Sequence, residues 1–185
     1  MTTKKQEKIK FSKAFWVANT VELFERAAYY GVFIVITLYL SRILGFNDIQ
    51  AASIAGIFSA CLYLLPTFAG ALADKIGFRN SMLLAFTLLT CGYLGLAVYP
   101  TWLQSAGLVE YSTMTTFTGL LESNLQYGII PIMALIVCGG AFIKSVISGT
   151  VAKETTPETR AKGFSIFYAM VTVSYTHLRA HETSQ

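Results

Sequence analysis

The first long apolar stretch of the chain decides the fold class. Residues 14–40 read AFWVANTVELFERAAYYGVFIVITLYL. A helix needs about 20 mostly apolar residues to cross a bilayer, and this stretch exceeds that length. Its residues do not alternate between apolar and polar with a period of two, as the strands of a membrane barrel would. We therefore predict a membrane-spanning helix and an all-α membrane protein.

Working outward, the rest of the chain repeats this pattern. After a polar segment at residues 1–13, we predict further spans at about 51–73, 82–99 and 127–152, and the start of a fifth at 163–173. The 185 residues are 54% hydrophobic and only 13% charged, whereas soluble domains average about 25% charged residues. This composition excludes an ordinary soluble domain and a disordered chain. The net charge of +4 is spread between apolar stretches, so we predict no nucleic-acid partner.

The distribution of basic residues predicts the orientation of the spans. Arg42 is the only basic residue in the loops that would lie on one side of the membrane. Cytoplasmic loops are enriched in lysine and arginine, so we predict a multi-pass protein of the inner (plasma) membrane with a cytoplasmic N-terminus. A cleaved signal peptide is disfavoured, because the first stretch is too long and contains charges. The opposite segments hold ten basic residues: Lys4, Lys5, Lys8, Lys10, Lys13, Lys75, Arg79, Lys153, Arg160 and Lys162.

Three charged residues lie within the first predicted span. Glu22 and Glu25 are three residues apart, and Arg26 follows Glu22 by four, so the three share one side of a helix with Tyr29 and Tyr30 about one turn further on. A charge at the centre of a span costs about 2.5–3.5 kcal/mol. We therefore predict that this side faces protein or a water-filled cavity.

Lys144 is a second charge inside an apolar span. It lies nine residues before Lys153, and Glu22 lies nine residues after Lys13, which places both about 13 Å from the cytoplasmic boundary. An ion pair between Lys144 and a glutamate of the first span is therefore geometrically possible. It could be a static pair that holds the helices together, although such a pair is weak evidence for stability. Alternatively, it could be a proton relay, because protonating the carboxylate would release the lysine.

Small and sulfur-containing residues in the spans predict packing. Ala52, Gly56 and Ala60 recur every four residues, a spacing that lets helices approach closely; a role in substrate binding is the alternative. The cysteines fall inside apolar stretches without metal or redox spacing, so we predict buried packing residues. They are Cys61, Cys91 and Cys138.

The end of the sequence breaks the pattern. Residues 174–185 read SYTHLRAHETSQ, so the fifth stretch becomes polar where a span should continue. We predict that this tail is non-native and unpacked, and that the chain is truncated. His177 and His181 have i, i+4 spacing, which is formally enough for a metal pair, but we predict no metal site there. With no catalytic or phosphate-binding motif, we predict neither an enzyme nor a metal or cofactor site.

The charged side of the first span resembles a motif of the proton-dependent oligopeptide transporter family of the major facilitator superfamily, ExxERFxYYG. Alanine stands at position 27, where the family usually has phenylalanine. The fourth span resembles the family's lysine-bearing helix at residues 140–144, with Ser145 in place of the usual proline. Residues 70–79 resemble the superfamily's cytoplasmic signature loop, residues 163–168 are similar to the family's fifth helix, and Tyr63 matches a binding-site tyrosine. The matching residues of the first motif are Glu22, Glu25, Arg26, Tyr29, Tyr30 and Gly31.

The resemblance implies the N-terminal part, about five transmembrane helices, of a major facilitator fold. It implies proton-coupled import of di- and tripeptides, with a C-terminal half of the same transporter as a partner beside the bilayer, the peptide and protons. Arg26 and Lys144 would meet the carboxylate side of the peptide. Glu22 and Glu25 would join the proton path, and Asp74 with Arg79 would form a conformational gate, unless that loop only marks the cytoplasmic side. The tyrosines that would contact the peptide backbone are Tyr29, Tyr30 and Tyr63.

Three alternatives remain open. One is a major facilitator for another small solute, such as a sugar, nitrate or a drug, which would need the signature loop but not the glutamate–arginine cluster with a lysine opposite. Another is a membrane enzyme or sensor, which would need a soluble catalytic or signalling segment or a metal cluster. The third is that these 185 residues alone are inactive.

Overall fold

The described part of the chain consists mostly of helices joined by short connections. The computed structural model describes residues 10–108 and 124–182, with residues 174–182 as backbone only. A π-helical turn at Tyr39–Ile43 follows the first helix, and a 3-10 turn at Asn124–Gly128 precedes the fourth. The α-helices are α1 (Lys13–Leu38), α2 (Asp48–Ile76), α3 (Phe78–Ser105), α4 (Ile129–Lys153) and α5 (Arg160–Glu182).

Four helical stretches of the described residues are long and apolar enough to cross a membrane. This confirms the predicted all-α membrane class, and the number of helices roughly matches the prediction, while the bounds of the membrane-crossing segments stay a prediction. The helices extend a few residues beyond the predicted bounds, because backbone hydrogen bonds continue past the last apolar side chain. The stretches are Lys13–Ile43, Asp48–Ile76, Phe78–Ser105 and Asn124–Lys153.

The predicted fifth span differs from the other four. α5 begins at Arg160 and continues to Glu182, well past the expected end near residue 173. It is not among the helices apolar enough to span a membrane, because its second half carries the polar sequence of the tail. The side chains from residue 174 onward lie outside the described residues, as does most of the predicted segment 1–13. Packing of the tail therefore stays a prediction.

The described residues form two compact units. The first contains those of Met1–Ala27 and Ile147–Gln185. Within it, the ring of Phe15 is fully buried and stacks on Phe11, with centroids 4.2 Å apart. Gly163 of α5 packs so closely here that a Cβ atom would lie 2.5 Å from Cγ2 of Thr155. The start of α1 and the start of α5 thus share one small core.

The second unit, Ala28–Val146, contains α2, α3 and most of α4. Asn47 and Gln50 begin α2 with a reciprocal capping box. Gly77 alone joins α2 to α3, and its φ of +89° is a conformation that side chains with a Cβ rarely adopt. The buried hydroxyl of Ser81 donates to the carbonyl of Gly77 at 2.9 Å, which holds this tight connection.

Glycines allow α3 and α4 to approach each other closely. A Cβ atom on Gly139 would lie 2.8 Å from Cγ of Leu89 and 3.0 Å from the carbonyl oxygen of Ala85. Gly92, on the facing helix, is in similarly close contact with Ile136. Helix packing in membranes depends on such close backbone approach, since lipid provides little hydrophobic drive between helices.

The predicted packing role of the small-residue stripe on α2 is wrong in the described part of the chain. Ala52, Gly56 and Ala60 are exposed, and a Cβ on Gly56 would meet nothing within 4 Å. Small size permits close packing but does not select the helix face. The neighbouring face is buried instead, and its two large side chains, Phe58 and Leu62, remove the most apolar area from solvent. Its members are Ala51, Ala55, Phe58 and Leu62.

The predicted burial of the cysteines is also wrong. Cys91 is exposed, Cys61 and Cys138 are half-buried, and all three are free thiols. An apolar side chain of a membrane helix need not be buried in protein, because lipid is as apolar as a protein core. Hydrophobic sequence context therefore does not predict burial here.

Candidate functional site

The charges of α1 form a buried triad, which we call the Glu–Arg cluster: Glu22, Glu25 and Arg26. Nε of Arg26 lies 3.3 Å from Oε1 of Glu22 and donates to Oε2 of Glu25 at 2.6 Å. The terminal nitrogen Nη2 also contacts the Glu25 carboxylate. All three residues are at most 7% exposed. The guanidinium thus binds both carboxylates from its own helix: Glu22 at the i, i+4 spacing, and the directly preceding residue Glu25.

The charge balance of the Glu–Arg cluster suits proton exchange. Two ionised carboxylates and one guanidinium give these three side chains a net negative charge. Buried charge is costly unless it is paired. A single proton on Glu22 or Glu25 would leave one carboxylate for one guanidinium and make the cluster neutral. The arrangement can therefore hold or release one proton while Arg26 remains paired.

Asn19 extends this polar face towards the N-terminus, and sequence reasoning missed it. Its side chain is fully buried, and Nδ2 donates to the carbonyl of Phe15 at 2.8 Å. The Oδ1 atom is buried with no donor in the described part of the chain. The spacing of three residues to Glu22 was the available signal, because it places Asn19 on the charged side of α1.

The predicted substrate-contacting tyrosines differ in burial. Tyr29 is buried, and its ring stacks on Phe33 and on Phe58 of α2, with centroids 5.6 and 6.3 Å away. Tyr30 is half-buried, with its ring centroid 5.2 Å from that of Tyr29. Tyr63 of α2 is 64% exposed. In this conformation Tyr63 presents the largest accessible surface of the three.

Lys144 of α4 is held by α2. Its Nζ donates to the carbonyl oxygen of Leu62 at 3.1 Å and lies 4.5 Å from the centroid of the Tyr63 ring. The hydrogen bond satisfies part of the ammonium, and the ring face adds a cation–π contact. The structure therefore brings together two residues that the sequence predicts for substrate binding, Lys144 and Tyr63.

Ser145, where the resembled family usually has proline, also bonds to α2. Its hydroxyl lies 2.6 Å from the carbonyl oxygen of Pro66 and 3.0 Å from that of Ala141. Gly70 lies beside this contact, and a Cβ there would make only an ordinary van der Waals contact with Oγ of Ser145, at 3.6 Å. The departure from the family pattern thus provides a second polar link between α4 and α2.

The remaining predicted site residues lie in separate parts of the described structure. The Glu–Arg cluster belongs to the first compact unit and Lys144 to the second, so an ion pair between them stays a prediction. Asp74 lies in the last turn of α2 and Arg79 at the second position of α3. Both side chains are exposed, and neither has an ion pair or hydrogen bond within the described residues. Those residues also contain no group of three potential metal ligands.

Comparison with known proteins identifies relatives over much of the chain. It is 32% identical over 116 residues to dipeptide and tripeptide permease A of Enterobacter sp. (strain 638), and 30% identical over 116 residues to that of Klebsiella pneumoniae (strain 342). The chain is a relative of the peptide permeases. Each match covers 60% of this chain and 22% of the relative, so the chain spans about a fifth of the length of these permeases.

This relationship confirms the resemblance to the oligopeptide transporter family that the first-helix motif indicated. No family model and no solved structure matches the chain. The four long apolar helices and the similarity to these permeases together indicate an integral membrane protein. The roles of individual residues are not assigned by these comparisons.

Proposed function

We propose that the protein imports di- and tripeptides and couples their uptake to proton entry. The observation that carries this proposal is the buried Glu–Arg cluster, in a chain whose relatives are named dipeptide and tripeptide permeases. Two carboxylates around one guanidinium provide a group that a single proton makes neutral. A permease that uses a proton gradient needs a group of this kind on the path of the proton.

In this proposal, the peptide binds through groups that match its carboxylate end and its backbone. Arg26 and Lys144 receive its carboxylate side, since both offer several donors to a carboxylate. Tyr29, Tyr30 and Tyr63 contact its backbone with their hydroxyls and ring faces. The protein would act within the inner membrane, with the bilayer and the remainder of a full-length permease as its partners.

Coupling follows from competition for Lys144. An ionised glutamate of the first helix attracts the Lys144 ammonium, and protonation of that glutamate removes the attraction. The lysine is then available to the substrate carboxylate. Because binding free energies are reciprocal, substrate binding at Lys144 favours protonation of the glutamate to the same extent. Proton and peptide are thus linked through Lys144.

Uptake of a labelled dipeptide into proteoliposomes tests this function, using the protein expressed from its complete reading frame. We expect an inward proton gradient to drive accumulation by the wild type. Lys144→Ala should abolish gradient-driven accumulation, whereas Glu25→Gln, which imitates a protonated carboxyl, should lose accumulation but retain some passive exchange. Undiminished accumulation by Lys144→Ala would overturn the mechanism. Absence of dipeptide uptake by the wild type would favour a transporter of another small solute.

A conformational gate is the proposed role of Asp74 and Arg79. They flank the one-residue connection at Gly77, where a salt bridge or helix-end contact could form in one transport state and break in another. If they gate, Asp74→Asn should change both the transport rate and the ratio of inward-facing to outward-facing protein. An unchanged rate and ratio would leave only the topological role of this loop.

A further inference from the structure

The prolines inside α2 and α3 share a feature that neither the family resemblance nor the relatives address. Proline has no backbone N–H, so the carbonyl four residues earlier cannot receive its usual helical hydrogen bond. For Pro66 this carbonyl belongs to Leu62, and for Pro100 it belongs to Leu96. In a membrane, a carbonyl without a hydrogen-bond donor costs free energy, so another group usually donates to it.

In both helices, a side chain from elsewhere in the second unit donates to that carbonyl. Nζ of Lys144 donates to the Leu62 oxygen at 3.1 Å. The hydroxyl of Tyr39 donates to the Leu96 oxygen at 2.7 Å. The same backbone defect thus binds an ammonium in α2 and a neutral hydroxyl in α3, which makes the second case a natural control for the first.

We propose that Pro66 is a positioning residue for Lys144. Because Pro66 cannot donate to the Leu62 carbonyl, that oxygen holds the ammonium beside the ring of Tyr63. Alanine at position 66 would supply an N–H that competes for the same oxygen. The ammonium would then lose this hydrogen bond without any change to Lys144 or Tyr63. This inference rests on the proposed function, in which Lys144 alternates between protein groups and the substrate carboxylate.

Ser145 makes the register between the two helices specific. Its hydroxyl lies 2.6 Å from the carbonyl oxygen of Pro66, next to the bond made by Lys144. Two consecutive residues of α4 therefore bind carbonyls four residues apart on α2. This double attachment holds the lysine at the level of the proline, where a longer or shorter register would move Nζ away from the Leu62 oxygen.

The test measures the reactivity of the Lys144 amine and needs no transport. The protein, expressed from its complete reading frame, is treated with formaldehyde and cyanoborohydride, and methylation of Lys144 is followed by mass spectrometry. A hydrogen bond to a charged group corresponds to about a tenfold change in an equilibrium. We therefore expect Lys144 to react about tenfold faster in Pro66→Ala than in the wild type. An unchanged rate would overturn the proposal.

A backbone ester at position 66 distinguishes the effect of the missing N–H from the effect of the proline ring's shape. Lactic acid placed at position 66 by nonsense suppression has the methyl side chain of alanine but no N–H. If the missing N–H matters, this variant should restore the slow wild-type reaction of Lys144. If it reacts as fast as Pro66→Ala, the ring rather than the free carbonyl positions the lysine, and the proposal is wrong.

A second variant keeps Pro66 and the helix intact, in case Pro66→Ala does not fold. Hydroxyphenyllactic acid at position 63 retains the tyrosine ring but converts the Leu62 carbonyl to an ester, which is a weaker acceptor. Lys144 should then react faster. Lactic acid at position 97 makes the same change to the Leu96 carbonyl, as a matched control, and should leave Lys144 unchanged. Equal effects of the two esters would contradict the proposal.

Dipeptide uptake adds a readout that distinguishes positioning from general damage. Pro66→Ala should raise the KM for the dipeptide, the lactic acid variant should restore it, and Pro100→Ala should leave it at the wild-type value. Equal increases in Pro66→Ala and Pro100→Ala would overturn a specific role for Pro66. Failure of the wild type to take up any dipeptide would overturn the proposed function alone, and the reactivity of Lys144 would still decide on Pro66.

Discussion

At the scale of single residues, the Glu–Arg cluster combines local spacing with burial. Arg26 meets both glutamates within its own helix, so the pairing needs no other element. Burial of all three residues then makes the pairing obligatory, because neither carboxylate has bulk water as an alternative partner. A buried ion-pair group that could accept a proton would suit the proposed coupling.

Arg26→Leu should destabilise the protein strongly. It leaves two buried carboxylates without their counter-charge, and breaking a buried pair in this way costs about 3–5 kcal/mol. Reversible unfolding in detergent would measure the loss. Arg42→Leu is the matched control, since Arg42 is exposed, and we expect a change within about 0.5 kcal/mol. Equal losses in the two variants would show that the cluster does not contribute as described.

At the scale of helices, glycines determine how close α3 and α4 lie. Gly139 faces Leu89 and the backbone of Ala85, whereas Gly149, further along α4, has nothing near its missing side chain. The same residue type on one helix therefore serves two purposes. The difference comes from the neighbouring helix, not from the local sequence.

Gly139→Ala should separate α3 from α4 and reduce stability by about 1–3 kcal/mol, the range observed for overpacked cores. Gly149→Ala on the same helix should be neutral or stabilising by up to about 1 kcal/mol, because alanine favours helix and meets no neighbour. Thermal unfolding of the two variants in one detergent would compare them directly. A Gly139→Ala protein as stable as Gly149→Ala would contradict the close contact.

At the scale of the whole molecule, four helices have the length and hydropathy of membrane spans. The unequal distribution of basic residues between alternate loops predicts which side each loop occupies. The peptide permease relatives agree with a membrane location. They do not favour either orientation of the chain in the membrane. Orientation is therefore a prediction of the sequence that a topology experiment can decide.

Reporter fusions should show a cytoplasmic N-terminus. Green fluorescent protein joined after residue 77 should fluoresce, and alkaline phosphatase joined after residue 46 should be active, because we predict that these positions lie on the cytoplasmic and external sides respectively. Exchanging the two reporters provides the control and should silence both. Phosphatase activity at residue 77 together with fluorescence at residue 46 would reverse the predicted orientation.

Much of this protein follows from its sequence alone. The lengths of the apolar stretches determine four helices that are long enough to span a membrane. The i, i+3 and i, i+4 spacings place Glu22, Glu25 and Arg26 on one side of a helix. Both results depend only on helix geometry and on the cost of charge in a membrane. Tertiary structure alone decided which face of α2 is buried and what holds Lys144. The presence of Pro66 in a helix predicts that the Leu62 carbonyl lacks its helical donor, but it does not predict which other donor binds that carbonyl. That Lys144 does so depends on the rotation and register of α4 against α2, which arise from packing along both helices together and are encoded in no single segment.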